Sequence, residues 1–164
     1  LHSTGRTQPL ELRAATALWG HFGIEWNLAA LTPDDRALVR SWVDLHKRLR
    51  PLLHSGRVVV ADHPDPTLWV HGVVARDGSE AVFALTSLAK PATSPRGRVR
   101  LPGLDPLSSY DVRLVRPELV PEAPWTVPSW LRDAVRLPGR VLGSAGVQVP
   151  AMKPQQTCLL HISR

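Results

Sequence analysis

The side chains able to do acid–base, nucleophilic or metal chemistry are few and poorly grouped. Seven histidines (His2, His21, His46, His54, His63, His71 and His161) are spread along the chain. They show neither His-x-x-x-His nor His-Glu-x-x-His spacing, so no metal site is expected. Cys158 is the single cysteine, which excludes an internal disulfide and every motif built on paired thiolates. Its neighbours Leu159 and Leu160 mark it as a small core residue. No Gly-x-Ser-x-Gly elbow occurs. Gly139, Gly143 and Gly146 fit neither a dinucleotide fingerprint nor a phosphate loop and read as turn glycines.

The carboxylates offer a little more. Asp62-His63-Pro64-Asp65 brings acid and imidazole together, but Pro64 and Pro66 so close to one another mark a turn. Asp34 and Asp35 suit the start of a helix, where the dipole favours negative charge. Glu25 lies near the end of a short apolar run, Gly20 to Trp26. On a strand of a closed parallel barrel such a position would face the active site; the plainer reading is a strand-end carboxylate paired with an arginine.

The elements that must position these groups change character near residue 54. A first helix is expected over about Pro9 to Leu18, with Pro9 at its first position, ending at Gly20. The run Gly20-His21-Phe22-Gly23-Ile24-Glu25-Trp26 is too short and glycine-rich for a helix and reads as one buried strand. A second helix starts at Pro33, capped by Thr32. Leu38, Trp42, Leu45 and Leu49 form its apolar stripe, and Pro51 is expected to stop it.

Beyond residue 54 the pattern is all-β. Strands are expected at 57–62, 67–75, 80–88, 99–101, 110–115, 140–142, 146–149 and 157–162, with Asp77-Gly78 closing a hairpin between the second and third. Of 16 prolines, all but Pro9 and Pro33 lie from Pro51 onward, which favours short strands and turns. Residues 116–138, with Trp125 and Trp130, resist assignment. Val58, Val60, Val70, Val74, Val82, Leu85, Val112, Leu114, Leu159 and Ile162 are the expected core of a β-unit able to fold without the helices.

Composition narrows the partners. The 164 residues carry 20 Lys and Arg against 14 Asp and Glu, a net charge of +6. These charges are scattered, with clusters only at Lys47-Arg48-Leu49-Arg50 and at Arg96, Arg98 and Arg100, which alternate at strand period and read as a solvated face. No nucleic-acid partner is expected, since a footprint concentrates charge on one face with stacking aromatics between. No apolar run approaches the roughly 18 residues of a membrane span, so no membrane partner is expected either. The chain opens on Leu1 rather than Met, and a missing upstream segment is expected.

Three stretches together resemble one family. They are His2-Ser3-Thr4-Gly5-Arg6, then Gly20-His21-Phe22-Gly23-Ile24-Glu25-Trp26-Asn27-Leu28, then Leu49-Arg50-Pro51-Leu52-Leu53-His54-Ser55-Gly56. In this order they resemble the C-terminal end of bacterial α-galactosidases of glycoside hydrolase family 36. Asn27 stands where that family usually has Asp. The resemblance implies an α+β fragment: residues 1–53 as the last strand and helices of a (β/α)8 barrel, and residues 54–164 as an antiparallel, β-sandwich-like C-terminal domain.

It also implies a retaining hydrolase that releases terminal α-linked galactose from oligosaccharides such as melibiose and raffinose. The family's two catalytic aspartates lie in Lys-x-Asp-type and Ser-Asp-type motifs. Neither occurs here, so no catalytic residue is expected in this chain, and by family order both lie upstream. His2, Gly5 and Arg6 match a loop on the active-site face and are the candidate substrate-binding residues. No cofactor or metal is implied. A galactoside substrate, a possible homo-oligomer of the whole protein and a cytoplasmic location complete the expectation. The competing reading is a non-catalytic carbohydrate-binding or interaction module, with Trp69, Trp125 or Trp130 as stacking platforms.

Overall fold

Among the described residues, two N-terminal helices, a six-stranded sheet and a small ribbon form three layers. The computed structural model describes residue 5, residues 7–115 and residues 127–164. Helix α1 spans Leu10–Ala17, with Pro9 at the N-cap position rather than inside the helix, and buries Ala14 and Ala15. Helix α2 spans Pro33–Ser55. The Thr32 side chain accepts a hydrogen bond from the Asp35 amide at 3.1 Å and donates one to the Asp35 carboxylate at 2.8 Å. Replacing Thr32 by Ala is expected to cost about 1 kcal/mol, read as a lower denaturant midpoint at unchanged slope.

Pro51 does not stop α2. It removes one amide donor from the ladder, but Leu52 and Leu53 continue the apolar stripe and are buried. Burying those two leucines outweighs one lost hydrogen bond. The helix ends one turn later, where the Gly56 amide donates to the Leu52 carbonyl. Trp42, Leu45 and Leu49 are buried as the stripe requires, and Leu38 is half-buried.

The run between the helices is a correction. Residues 21–25 carry no strand. A strand needs a neighbour for its backbone groups, and among the described residues no parallel strand is there to pair with it. Phe22 and Trp26 are half-buried, while Ile24 and Glu25 are exposed.

The β-region holds β1 (Arg57–Ala61), β2 (Leu68–Val74), β3 (Glu80–Ser87), β4 (Arg98–Val99), β5 (Ser109–Leu114), β6 (Val135–Pro138), β7 (Val147–Gln148) and β8 (Gln156–Ser163). Six of them form one antiparallel sheet in the order β1-β2-β3-β8-β5-β6, and β4 pairs with β7 as a separate ribbon. Between β2 and β3, Gly78 adopts φ +68°, and its amide donates to the Ala75 carbonyl. That is the left-handed conformation the Asp77-Gly78 pair predicts.

Alternation divides the sheet residues between two cores. Val70, Phe83, Leu85, Tyr110, Val112, Leu160 and Ile162 face the ribbon and the loops around it, against Val99, Leu101, Leu142 and Val149. Val73, Val82, Ala84 and Leu159 face the helices, against Leu18, Trp42, Leu45, Leu49, Leu52 and Leu53. β3 is therefore buried on both faces. Val58 and Val60, expected in the core, are 73% and 52% exposed. They sit on the helix-side face of edge strand β1, opposite Val73 and His71.

Residues 140–142 were expected to be a strand, and they lie instead in a short helix, α3 (Gly139–Ser144). Helical geometry turns Leu142 fully into the core, and the Leu142 carbonyl accepts the Leu101 amide at 2.9 Å. Gly146 ends this helix at φ +70°, and a Cβ there would collide with the Val99 carbonyl. Gly146→Ala is expected to lose at least about 1–2 kcal/mol from the left-handed backbone alone, measured by equilibrium unfolding. Trp130 lies in a 3-10 turn, Ser129–Leu131, and Trp125 lies outside the described residues.

Candidate functional site

A concavity opens between α1, α2 and the unpaired run that joins them. It is an open cleft of about 800 Å³ whose lining includes Arg13, His21, Phe22, Glu25, Trp26 and Trp42. α1 supplies Arg13, whose guanidinium carbon sits 4.4 Å from the Trp26 ring centroid. Such a stack orients the cation and holds the run against α1. Glu25 is exposed and forms no ion pair with another described residue. The arginine pairing expected for it is therefore not seen, and the nearby cation goes to an aromatic face instead.

Asn27 has a local task. Its side-chain carbonyl accepts the Ala29 amide at 3.1 Å and caps a 3-10 turn over Leu28–Ala30. An aspartate would do the same, which explains why Asn serves at that position. Of the three residues expected on an active-site face, Gly5 has φ +71° with open space around it, while His2 and Arg6 lie outside the described residues.

The other candidates resolve into structural roles. The Asp62–Asp65 stretch leads into a turn that the Leu68 amide closes on the Asp65 carbonyl at 3.1 Å. The Asp65 amide donates to His63 Nδ1 at 3.0 Å, and the Thr67 amide and hydroxyl both donate to the Asp65 carboxylate. Those Thr67 hydrogen bonds, reinforced by the Arg96 charge, hold the Asp65 carboxyl below its ordinary value. Arg96 is no part of a solvated face. It pairs with Asp65 at 2.9 Å and donates to the Ser87 hydroxyl, the Thr67 hydroxyl and the Ala89 carbonyl. Arg98 is likewise spent on the Ala145 and Gly146 carbonyls.

Arg96→Met is expected to destabilise the fold far more than Arg100→Met, whose side chain is exposed, because it leaves the enclosed Asp65 carboxylate without its cation. The Asp65 carboxylate stabilises the fold fully above its ordinary value of 3.8, and that contribution is lost as pH falls toward the lower folded value. Acid unfolding of the two variants beside the parent chain checks both points.

Cys158 is buried in β8, and burial pushes its thiol up to about 12, so it supplies no thiolate at neutral pH. Of the tryptophans proposed as stacking platforms, Trp69 is 47% exposed and Trp130 only 4%. Among the described residues no flat face presents two tryptophans from that set. No group of three or more His, Cys, Asp or Glu side chains among them is placed to hold a metal ion.

Helices on one face of an antiparallel sheet, a ribbon on the other and a helical N-terminal piece bordering an open cleft make up the two parts that family models match. The family model "Glycosyl hydrolase family 36 C-terminal domain" matches residues 69–162, and the model "Melibiase" matches residues 1–56. The chain belongs to glycoside hydrolase family 36.

Among curated relatives, the chain is 33% identical to an alpha-galactosidase of Escherichia coli over 169 residues, covering 99% of this chain and 24% of that protein. It is 37% identical to alpha-galactosidase C of Emericella nidulans over 113 residues, 68% of this chain and 15% of that one. Among solved structures it superimposes on the GH36 alpha-galactosidase AgaA of Geobacillus stearothermophilus with a TM-score of 0.77 at 24% identity, covering 99% of this chain and 20% of that one. An alpha-galactosidase from Lactobacillus brevis gives 0.77 at 23% identity, with 99% and 21% covered. The chain thus spans about a quarter or less of the proteins it matches.

Proposed function

We propose that this chain is the C-terminal part of an α-galactosidase, a retaining glycoside hydrolase that releases terminal α-linked galactose from oligosaccharides such as melibiose and raffinose. The observation that carries this reading is the 33% identity to the Escherichia coli alpha-galactosidase along 99% of the chain. In this reading residues 1–53 are the closing helices and last strand of a (β/α)8 barrel. The apolar run at 20–26, unpaired among the described residues, supports that assignment, because a parallel barrel strand is paired by neighbours from other parts of the barrel. Residues 54–164 are the antiparallel domain that follows.

Retaining hydrolysis uses a nucleophilic carboxylate and an acid/base carboxyl about 5 Å apart. In this reading both are aspartates of upstream barrel strands. The loop at 2–6 then lies on the active-site face, where the planar donor fork of Arg6 orients a carboxylate or a sugar hydroxyl. The present chain contributes closure of the barrel and a base for its last strand.

The test is to read the coding sequence upstream of Leu1 and to assay the whole protein on a nitrophenyl α-galactoside. An open frame holding a Lys-x-Asp and a Ser-Asp motif, together with turnover that is lost when either aspartate becomes Asn, is the expected result. A frame without that pair, or a whole protein inert on every α-galactoside, would overturn the reading.

A further inference from the structure

The two edges of the six-stranded sheet are built differently. β6 carries Arg136, which pairs with Asp111 at 2.9 Å, and it ends on Pro138, which has no amide to donate. Charge and proline are devices that keep an edge strand from taking on another strand. The opposite edge, β1, reads Arg57-Val58-Val59-Val60-Ala61, with no proline and no charge after its first residue.

Hydrogen-bond alternation shows which groups that edge presents. The Leu88 amide donates to the Thr67 carbonyl and the Ala75 amide to the Glu80 carbonyl, each at 2.8 Å. Both pairs continue the β2–β3 register, so residues 67, 69, 71, 73 and 75 turn their backbone groups toward β3. The residues between them turn theirs toward β1, where Val74, Gly72 and Val70 face Arg57, Val59 and Ala61. Val58 and Val60 therefore point their N–H and C=O groups outward, and among the described residues no strand lies beyond β1. Their side chains are exposed as well, so the edge offers apolar surface together with unpaired backbone groups.

We propose that β1 is a self-pairing edge, through which two copies of this chain join antiparallel, β1 against β1, into one continuous sheet. About a symmetry axis at Val59, Val58 of each copy faces Val60 of the other, and each such pair exchanges both backbone hydrogen bonds. Val58 and Val60 of both copies then pack together on a single face. The strand is self-complementary in charge too. It starts at Arg57, which reaches the Gly103 carbonyl at 3.4 Å, and is followed by the exposed Asp62. Neither forms an ion pair with another described residue, and antiparallel pairing brings Arg57 of one copy to the Asp62 end of the other. The new hydrogen bonds lie in the plane of the sheet, so pairing displaces none of the helices that the proposed function assigns to a barrel. Association closes at two copies, because β6 keeps its charge and proline. The inference rests on β1 alone and stands whether or not the whole protein cleaves galactosides.

The experiment is sedimentation velocity on the 164-residue chain across about 1–100 μM, a range in which a small interface associates. The mass is expected to double over that range and to rise no further. Val60→Pro removes an outward amide and leaves the ladder to β2 intact. It is expected to weaken association by at least about tenfold, with the circular dichroism spectrum unchanged. Val60→Lys, which places a charge on the edge without constraining the backbone, is expected to act in the same direction. Arg57→Asp should weaken pairing, and adding Asp62→Arg to it should restore it. A chain that stays monomeric across the range would sink the proposal. So would a dimer indifferent to Val60→Lys, or a charge reversal at residue 57 that the exchange at residue 62 does not rescue.

Discussion

The 164-residue chain, purified by itself, is expected to turn over no nitrophenyl α-galactoside above the uncatalysed rate. Enzymes accelerate their reactions by roughly a millionfold or more, and for a retaining glycosidase that requires two carboxyl groups at fixed separation about the anomeric carbon. In the cleft between α1 and α2, Glu25 carries the one carboxyl among the described lining residues. It is exposed, and the nearby cation Arg13 stacks on Trp26. Nothing enclosed holds it in place, and positioning and electrostatic preorganisation supply much of an enzyme's rate. The control is Glu25→Gln. Turnover above background that this substitution removes would mean the chain has a working site of its own, and its reading as a supporting part would fail.

A chain shortened to Arg57–Arg164 is expected to melt without a sharp transition and to bind a hydrophobic dye. The sequence pattern suggests the opposite, a β-unit that folds independently. The difference lies on the helix-side face of the sheet, where Val73, Val82, Ala84 and Leu159 are buried under α1 and α2. Exposing the three larger side chains forfeits about 1.5–3 kcal/mol each. The whole stability of an ordinary domain is only about 5–15 kcal/mol. The core on the other face, around Phe83, Tyr110, Val112, Leu160 and Ile162, keeps the sheet collapsed, so the expected product is compact but loosely packed rather than unfolded. Calorimetry and dye fluorescence on the shortened and full chains decide it. A cooperative transition near that of the full chain would show that the helices add little.

Several features were legible from the sequence because they depend on neighbours along the chain. Thr32 with Pro33 and Asp35 fixes the start of α2, and the Asp77-Gly78 pair fixes a hairpin through backbone conformation alone. Strand alternation located β2, β3, β5 and β8 within a residue or two at either end. The three phrases that resemble glycoside hydrolase family 36 lie within the first 56 residues, and the family matches extend over both parts of the chain.

The remainder depended on contacts between distant segments. Pro51 is locally a helix stop, but the burial of Leu52 and Leu53 carries α2 past it. The pattern at 140–142 suits a strand as well as a helix, and a helix is what brings Leu142 into the core beside Leu101. Period two says which residues of β1 share a face and says nothing about what covers that face. Val58 and Val60 therefore looked like core residues and are exposed, while Val73 on the same face lies beneath the helices. The run at 20–26 has the composition of a strand but lacks a partner, since a strand exists only through hydrogen bonds to another. Arg96 read as a surface charge, because no local signal shows that Asp65, thirty-one positions earlier, closes onto it. The sequence by itself determined what short-range geometry and hydrophobic period can encode. The tertiary structure decided which faces are covered and which charges meet, because burial and ion pairing belong to surfaces that exist only after the chain has folded.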